Sequence, residues 1–272
     1  MGLFDFVKKN NRQQPNTQPV QSAQPAQPSG GSNYVNLIKR VPNNEAGISL
    51  KKSAISLDKS LISLEKKSGF TFEGHRAKVA VAMDYSGSMT SLYASGAVQR
   101  ILTRLMPLAL RFDDNGELDV WIFSNDKDRL ESMTIENFDT YVKKEIVAKG
   151  YRMGSTYYAP CIRDMLHKYF VEDKDTANYP TFVVFITDGE NFDHAETDSV
   201  IRESSKQNMF IQFVGIGNER FSYLQKLDDL GGRPVDNTGF IKVADMERLD
   251  DEDLFQLLLD QYPDWLKAKN LR

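Results

Sequence analysis

The order of apolar runs predicts an α/β fold: a mostly parallel sheet covered on both faces by helices. Short apolar runs at 79–83, 118–123, 182–187 and 210–216 read as strands buried on both sides. Stretches of helical period alternate with them at 94–111, 135–147, 159–170, 195–206, 221–229 and 251–267, the last interrupted by Pro263. Regular strand–helix alternation produces parallel sheets, and such sheets bind ligands outside the carboxyl ends of their strands.

Ahead of this pattern the chain divides into three parts. Residues 1–9 carry Leu3, Phe4, Phe6 and Val7 before two lysines, a short amphipathic peptide able to dock weakly on a partner or a membrane surface. It is too short for a stable isolated helix, and Phe6 stands where the myristoylation pattern has Ser or Thr. Residues 10–33 hold six Gln and four Pro among 24 positions, with Val20 as the one large aliphatic. That composition offers almost nothing to bury against the entropy of ordering and predicts a disordered tether. Residues 34–74 form a Lys-rich leader with a seven-residue echo, Ile48-Ser-Leu-Lys-Lys, Ile55-Ser-Leu-Asp-Lys and Ile62-Ser-Leu-Glu-Lys; Val35-Asn-Leu-Ile-Lys is looser. With period 2 each copy reads as a small strand. With helical period Leu50, Ala54, Leu57, Leu61 and Leu64 form one seam, and Lys66, Lys67 and Gly69 make a stop, so a helix is predicted over 53–67. Residues 75–272 are the main domain.

Composition narrows the function. The 272 residues contain no apolar run near the ~20 residues that cross a bilayer, and 1–10 is too short and polar for a signal peptide. The single Cys161 can form neither an internal disulfide nor a thiolate zinc site and suits a reducing cytoplasm, the predicted location. Residues 1–68 carry ten Lys/Arg against four Asp/Glu, and 69–272 carry 24 against 34. An acidic main domain argues against nucleic acid as partner, because phosphate neutralisation drives that binding. The basic front half reads as a solvated leader.

Two strand ends carry the chemistry. The run at 79–83 leads into Asp84-Tyr-Ser86-Gly-Ser88, a carboxylate and two hydroxyls at i, i+2 and i+4, with Gly87 permitting a tight turn. The run at 182–187 ends in Asp188-Gly189. In a parallel sheet the two carboxylates converge on one edge and repel unless a cation lies between them. Between them in sequence, Gly154-Ser155-Thr156 leads into a helix and offers another hydroxyl. Hard oxygen donors of this kind suit Mg²⁺, Ca²⁺ or Mn²⁺ rather than zinc.

Asp84-x-Ser86-x-Ser88, then Thr156, then Asp188-Gly189, resembles the complete metal-ion-dependent adhesion site of von Willebrand factor A (vWA) domains. The resemblance covers about 75–268. It implies a Rossmann-like, doubly wound sheet with a short antiparallel edge strand near 129–133, and a metal held by Asp84, Ser86, Ser88, Thr156 and Asp188. A narrower likeness lies in Arg76-Ala-Lys-Val-Ala-Val-Ala-Met-Asp84, Leu108-Ala-Leu-Arg-Phe-Asp-Asp114, Gly116-Glu-Leu-Asp-Val-Trp-Ile-Phe123 and the Ile-Ser-Leu-x-Lys segments. These are similar to bacterial vWA proteins of the tellurium-resistance, TerF-like group.

The resemblance implies a metal-dependent protein–protein interaction module in a cytoplasmic tellurium-resistance or chemical-stress system, with no catalytic residues. An open coordination position on the metal would accept an acidic residue of a partner, other tellurium-resistance proteins among the candidates. The alternative is a metal-dependent phosphoryl hydrolase of similar fold using Asp84; that chemistry needs a carboxylate two residues later, where Ser86 stands. Cys161 reads as a buried thiol on a different helix face from His167, and the acidic run at 250–253 as a helix start.

Overall fold

The computed structural model describes residues 30–173 and 179–271, so the amphipathic peptide and most of the Gln/Pro-rich segment lie outside the described residues. The sheet contains β1 (Lys78–Asp84), β2 (Asp119–Phe123), β3 (Lys127–Arg129), β4 (Thr181–Thr187), β5 (Met209–Ile216) and β6 (Thr238–Val243), in the order β3-β2-β1-β4-β5-β6. All neighbours are parallel except β2 and β3, which form an antiparallel edge. The edge strand expected near 129–133 lies at Lys127–Arg129, and Met133 adds an isolated antiparallel bridge to Leu118.

Side chains alternate across the sheet, so each face acquires its own core. Val79, Val81 and Met83 of β1 face a cluster that includes Leu50, Leu57, Leu105, Leu258 and Trp265. Ala80 and Ala82 face the opposite cluster, with Trp121, Phe123, Ile162, Phe185 and Phe213. The first face is covered by α1 (Gly30–Arg40), α2 (Glu45–Ser68), α4 (Ala97–Phe112), α8 (Asp251–Leu259) and α9 (Tyr262–Ala268). The second is covered by α5 (Ala159–His167), α6 (His194–Ser204) and α7 (Ser222–Asp228). Among the described residues no helix is long and apolar enough to cross a membrane.

The leader is more regular than its sequence suggests. α2 begins eight residues before the expected 53–67 helix and is α-helical throughout, so the strand reading of the repeat is wrong. Asn44 caps it by accepting the Gly47 N–H at 2.8 Å, and Gly69, at φ 71°, ends it with its N–H on the Glu65 carbonyl. A side chain at 47 would place its Cβ 1.9 Å from the Pro42 carbonyl oxygen, so Gly47 lets the preceding turn fold back over the first helical turn. The predicted seam is buried at Leu50, Ala54, Leu57, Leu61 and Leu64. Ahead of it α1 takes in positions 30–33, which composition assigned to the tether, and the Val35-Asn-Leu-Ile-Lys copy is helical.

Other boundaries moved for identifiable reasons. Residues 135–147 do not form the expected helix, because the side chain of Gln99 enters the segment. Its Oε1 accepts the Val142 N–H at 2.8 Å and its Nε2 donates to the Phe138 carbonyl at 2.5 Å. Those two backbone groups would pair with each other in an α-helix. Only a π-helical turn, Val142–Val147, follows. The helix expected at 94–111 is α4, beginning three residues late behind Gly96, whose φ is 76°, and a short α3 (Thr90–Ala94) precedes it. The expected helix at 251–267 divides at Asp260 and Gln261, and Pro263 falls in the first turn of α9, where a missing N–H costs nothing.

The two faces of α2 make a direct stability test. Leu57→Ala removes a fully buried side chain and should cost about 2–5 kcal/mol in denaturant unfolding. Ile55→Ala, on the exposed face, should stay within about 0.5 kcal/mol of wild type.

Candidate functional site

β1 and β4 are neighbours in register, with Met83 opposite Ile186, so Asp84 and Asp188 emerge together at the carboxyl edge of the sheet. The Asp84 side chain is wholly buried. One of its oxygens accepts the Ser86 N–H at 2.7 Å and the other accepts the Thr187 hydroxyl at 2.6 Å. The Ser86 and Ser88 hydroxyls lie 3.0 Å apart, and the Ser88 hydroxyl donates to Asp188 at 2.8 Å. Asp84, Ser86, Ser88 and Asp188 thus form one continuous polar string across the loops of the two central strands.

Thr156 reaches this edge through the backbone. Ser86 bridges Gly154 as a parallel pair, and the Gly87 N–H bonds to the Gly154 carbonyl at 3.1 Å. A Cβ at position 154 would lie 2.3 Å from the Asn125 side-chain oxygen, so only glycine lets this loop pass between the β1 and β2 loops. Two residues on, Thr156 is buried, and its carbonyl accepts the Phe192 N–H at 3.0 Å. Its hydroxyl takes no part in the hydrogen-bonded string that joins the other four residues.

A supporting layer fixes these loops. Tyr93 packs edge-on against Tyr85 and its hydroxyl donates to the Asp84 carbonyl at 3.0 Å. Asp193 accepts the backbone N–H groups of Tyr158 and Ala159 at 3.0 and 2.8 Å, capping α5 from another loop, and Asn191 holds Asp193 in turn. The Tyr158 hydroxyl donates to the Gly189 carbonyl at 2.7 Å. Sequence reasoning missed Thr187, Asp193, Tyr93 and Tyr158. Thr187 left one signal, a hydroxyl closing an otherwise apolar run; the others become partners only through tertiary folding.

Burial pushes the Asp84 carboxyl up from 3.8 to about 6; the Thr187 and Ser86 hydrogen bonds oppose the shift and the Asp188 charge adds to it. Burial also raises Asp188, against the Ser88 hydrogen bond and with the Glu219 charge. Among the described residues neither carboxylate forms an ion pair with Lys, Arg or His. A cation at this edge would supply the missing compensation. Among the described residues no group of three or more His, Cys, Asp or Glu side chains is placed to hold a metal, so the donors here are two carboxylates and the nearby hydroxyls. That is an oxygen set for a hard divalent ion.

The remaining reactive side chains are accounted for structurally. Cys161 is fully buried and its thiol is pushed well above the usual range by burial. His75 is enclosed by Phe70, Phe72, Phe112 and Tyr262; His194 stacks on Tyr223 at 3.8 Å. Asp250 caps α8 through the Glu252 N–H, while Asp251 accepts the Ser53 hydroxyl and pairs with Arg104.

The sheet order, the antiparallel edge and the helices on both faces define a von Willebrand factor A domain. Residues 76–272 match the vWA-TerF-like family, described as the vWA domain found in the TerF C terminus, and the chain belongs to that family. It is 40% identical over 193 residues to the uncharacterized protein YcbR of Bacillus subtilis (strain 168), covering 70% of this chain and 78% of that one. Proximal thread matrix protein 1 from the mussel byssus shares the fold, with a TM-score of 0.53 and 16% identity over 70% of this chain and 48% of its own. A von Willebrand factor type A structure from Catenulispora acidiphila aligns with a TM-score of 0.48 and 16% identity, over 68% of this chain and 43% of its own. The chain thus spans about half the length of these solved structures.

The buried carboxylate has a pH signature. Asp84 binds its proton more tightly when folded than unfolded, so metal-free stability should fall as pH rises from about 4 through about 6 and stay lower above that. The penalty is of order 2–3 kcal/mol. Asp84→Asn keeps the shape: its oxygen can accept the Ser86 N–H, and its amide can donate to Thr187, whose hydroxyl has the Gly189 carbonyl at 3.1 Å as a second acceptor. In EDTA the variant should therefore gain stability on wild type across this pH window. A constant difference between the two melting curves at pH 4 and pH 8 would show that Asp84 does not titrate there.

Proposed function

We propose that this edge binds one divalent cation, Mg²⁺ or in its place Mn²⁺ or Ca²⁺, and that the loaded site captures an acidic side chain of a protein partner. Asp84, Ser86, Ser88, Thr156 and Asp188 would hold the ion. The observation that carries the reading is the hydrogen-bonded string from Asp84 through Ser86 and Ser88 to Asp188, built around a buried carboxylate with no cationic partner among the described residues. A hard divalent ion takes six or more oxygens and exchanges water readily, so a partner carboxylate can complete its shell. Family membership supports an interaction module, and the TerF-like likeness supports work in a bacterial tellurium-resistance or chemical-stress system inside the cytoplasm. The residue two positions after Asp84 is Ser86, a hydroxyl hydrogen-bonded to Ser88 where hydrolysis would need a carboxylate, which favours binding over hydrolysis.

Titration calorimetry on the full chain should show one site for which Mg²⁺ and Mn²⁺ compete. Asp188→Ala should abolish it, and Thr156→Val should weaken it about 10–100-fold while the thermal melt stays near wild type. Cys161→Ser should leave metal affinity unchanged. Wild-type affinity in Asp188→Ala, or phosphatase turnover that disappears in Asp84→Asn, would remove the proposal.

A further inference from the structure

The leader repeat has a consequence independent of the strand-end site. Each Ile-Ser-Leu-x-Lys copy in α2 sends its leucine inward and its isoleucine outward. Leu50, Leu57 and Leu64 are buried, whereas Ile48, Ile55 and Ile62 remain 48%, 59% and 53% exposed. Lys52, Lys59 and Lys66 are exposed at the next positions of the same stripe. The outward row therefore reads Ile48, Lys52, Ile55, Lys59, Ile62, Lys66, with spacings of four and three. At 1.5 Å per residue it runs about 27 Å. Alternating spacings of four and three are those of a helix–helix seam, and among the described residues the isoleucines of this row belong to neither buried core cluster.

We propose that the outer face of α2 docks an acidic amphipathic helix of a partner protein. Such a helix would set apolar residues against the three isoleucines and Glu or Asp against the three lysines, whose stems add apolar contact. Lys52 and Lys66 make no ion pair among the described residues, and Lys59 reaches Glu252 only at 4.0 Å. Two acidic residues of the same helix are already engaged, Asp58 accepting the Tyr34 hydroxyl at 3.2 Å and Glu65 accepting the Phe72 N–H at 2.6 Å, and the third, exposed Glu45, lies at the amino end ahead of Ile48. Two of the three lysines, Lys52 and Lys66, are thus without an acidic partner among the described residues. A second copy of this face would bring lysine rows together. An anionic bilayer would meet three isoleucines on a helix whose main apolar face is turned inward, carried by a body of 24 basic and 34 acidic residues over 69–272.

The test uses the full chain and a fluorescent 21-residue helical peptide with leucine at every seventh position and glutamate at the positions facing the lysines. Saturable binding should appear by anisotropy, unaffected by EDTA, which separates it from the metal-dependent reading. The triple change Ile48→Ser, Ile55→Ser, Ile62→Ser should weaken it at least tenfold without altering the melt, since these side chains lie outside the core. Lys52→Glu, Lys59→Glu, Lys66→Glu should lose the glutamate peptide and bind a version carrying lysine instead. Undiminished binding by the isoleucine triple variant, or no charge exchange, would overturn the proposal. So would either of two competing results: phosphatidylserine vesicles binding the chain through these residues, or a dimer in sedimentation that the triple variant dissolves.

Discussion

The carboxyl edge of the sheet is organised around one costly group, the Asp84 carboxylate, buried at the end of a central strand without a cationic neighbour among the described residues. Burial alone would drive it toward its protonated form, and its raised pKa records that pressure. The neighbouring strand answers with the Thr187 hydroxyl, and the loop answers with the Ser86 N–H. Both donors are neutral, so they hold the carboxylate in place without cancelling its charge. Tyr93 on the Asp84 carbonyl and the Gly154 pairing with the same loop then leave this segment little freedom. A stiff, undercompensated carboxylate is costly to stability, and it would suit the proposed cation because its orientation is already fixed.

What sequence reveals here depends on whether the determining contact is local. Asp84-x-Ser86-x-Ser88 is readable because all three residues share one loop, and the strands at 79–83 and 182–187 are readable because burial on both faces makes them continuously apolar. The intervening helix at 135–147 was misread because its fate is decided by Gln99, some forty residues upstream, which occupies the backbone groups a helix would pair. β6 was missed for a related reason: at the sheet edge its Phe240, Ile241 and Lys242 are only partly buried or exposed, so neither a continuous apolar run nor a strict alternation marks it. Asp193 lies outside the motif yet caps α5 across a tertiary gap, a role that no spacing along the chain encodes.

The seven-residue repeat was ambiguous for a different reason. In a helix the isoleucine and leucine of each copy stand two residues apart and therefore point in widely different directions, so the pattern contains two apolar rows. Summed over the helix, two rows partly cancel the one-sidedness by which a surface helix is recognised. In a strand, the same two residues would share a face, which is why the period-2 reading competed. Helix length, the Asn44 cap and the Gly69 stop resolve the choice.

Charge pairs join the leader to the domain without accounting for what holds it. The basic leader meets the acidic domain through Arg40 with Glu136 at 2.6 Å, Lys67 with Asp260 and Lys59 with Glu252, all substantially exposed. Exposed pairs contribute little each, about 0–1 kcal/mol. The buried seam from Leu50 to Leu64 contributes more, since a fully buried leucine is favourable by roughly 1.5–3 kcal/mol. Apolar burial therefore anchors α2, with the surface pairs of Lys59 and Lys67 adding contacts to Glu252 of α8 and to Asp260 just after it, while Arg40 joins α1 to the 134–140 turn. Lys52 and Lys66 fall outside that arrangement, because they point away from the body that neutralises the others. The helix is consequently leucine-packed beneath and acid-paired at Lys59 and Lys67, and among the described residues Lys52 and Lys66 are left without an acidic partner on its outer side.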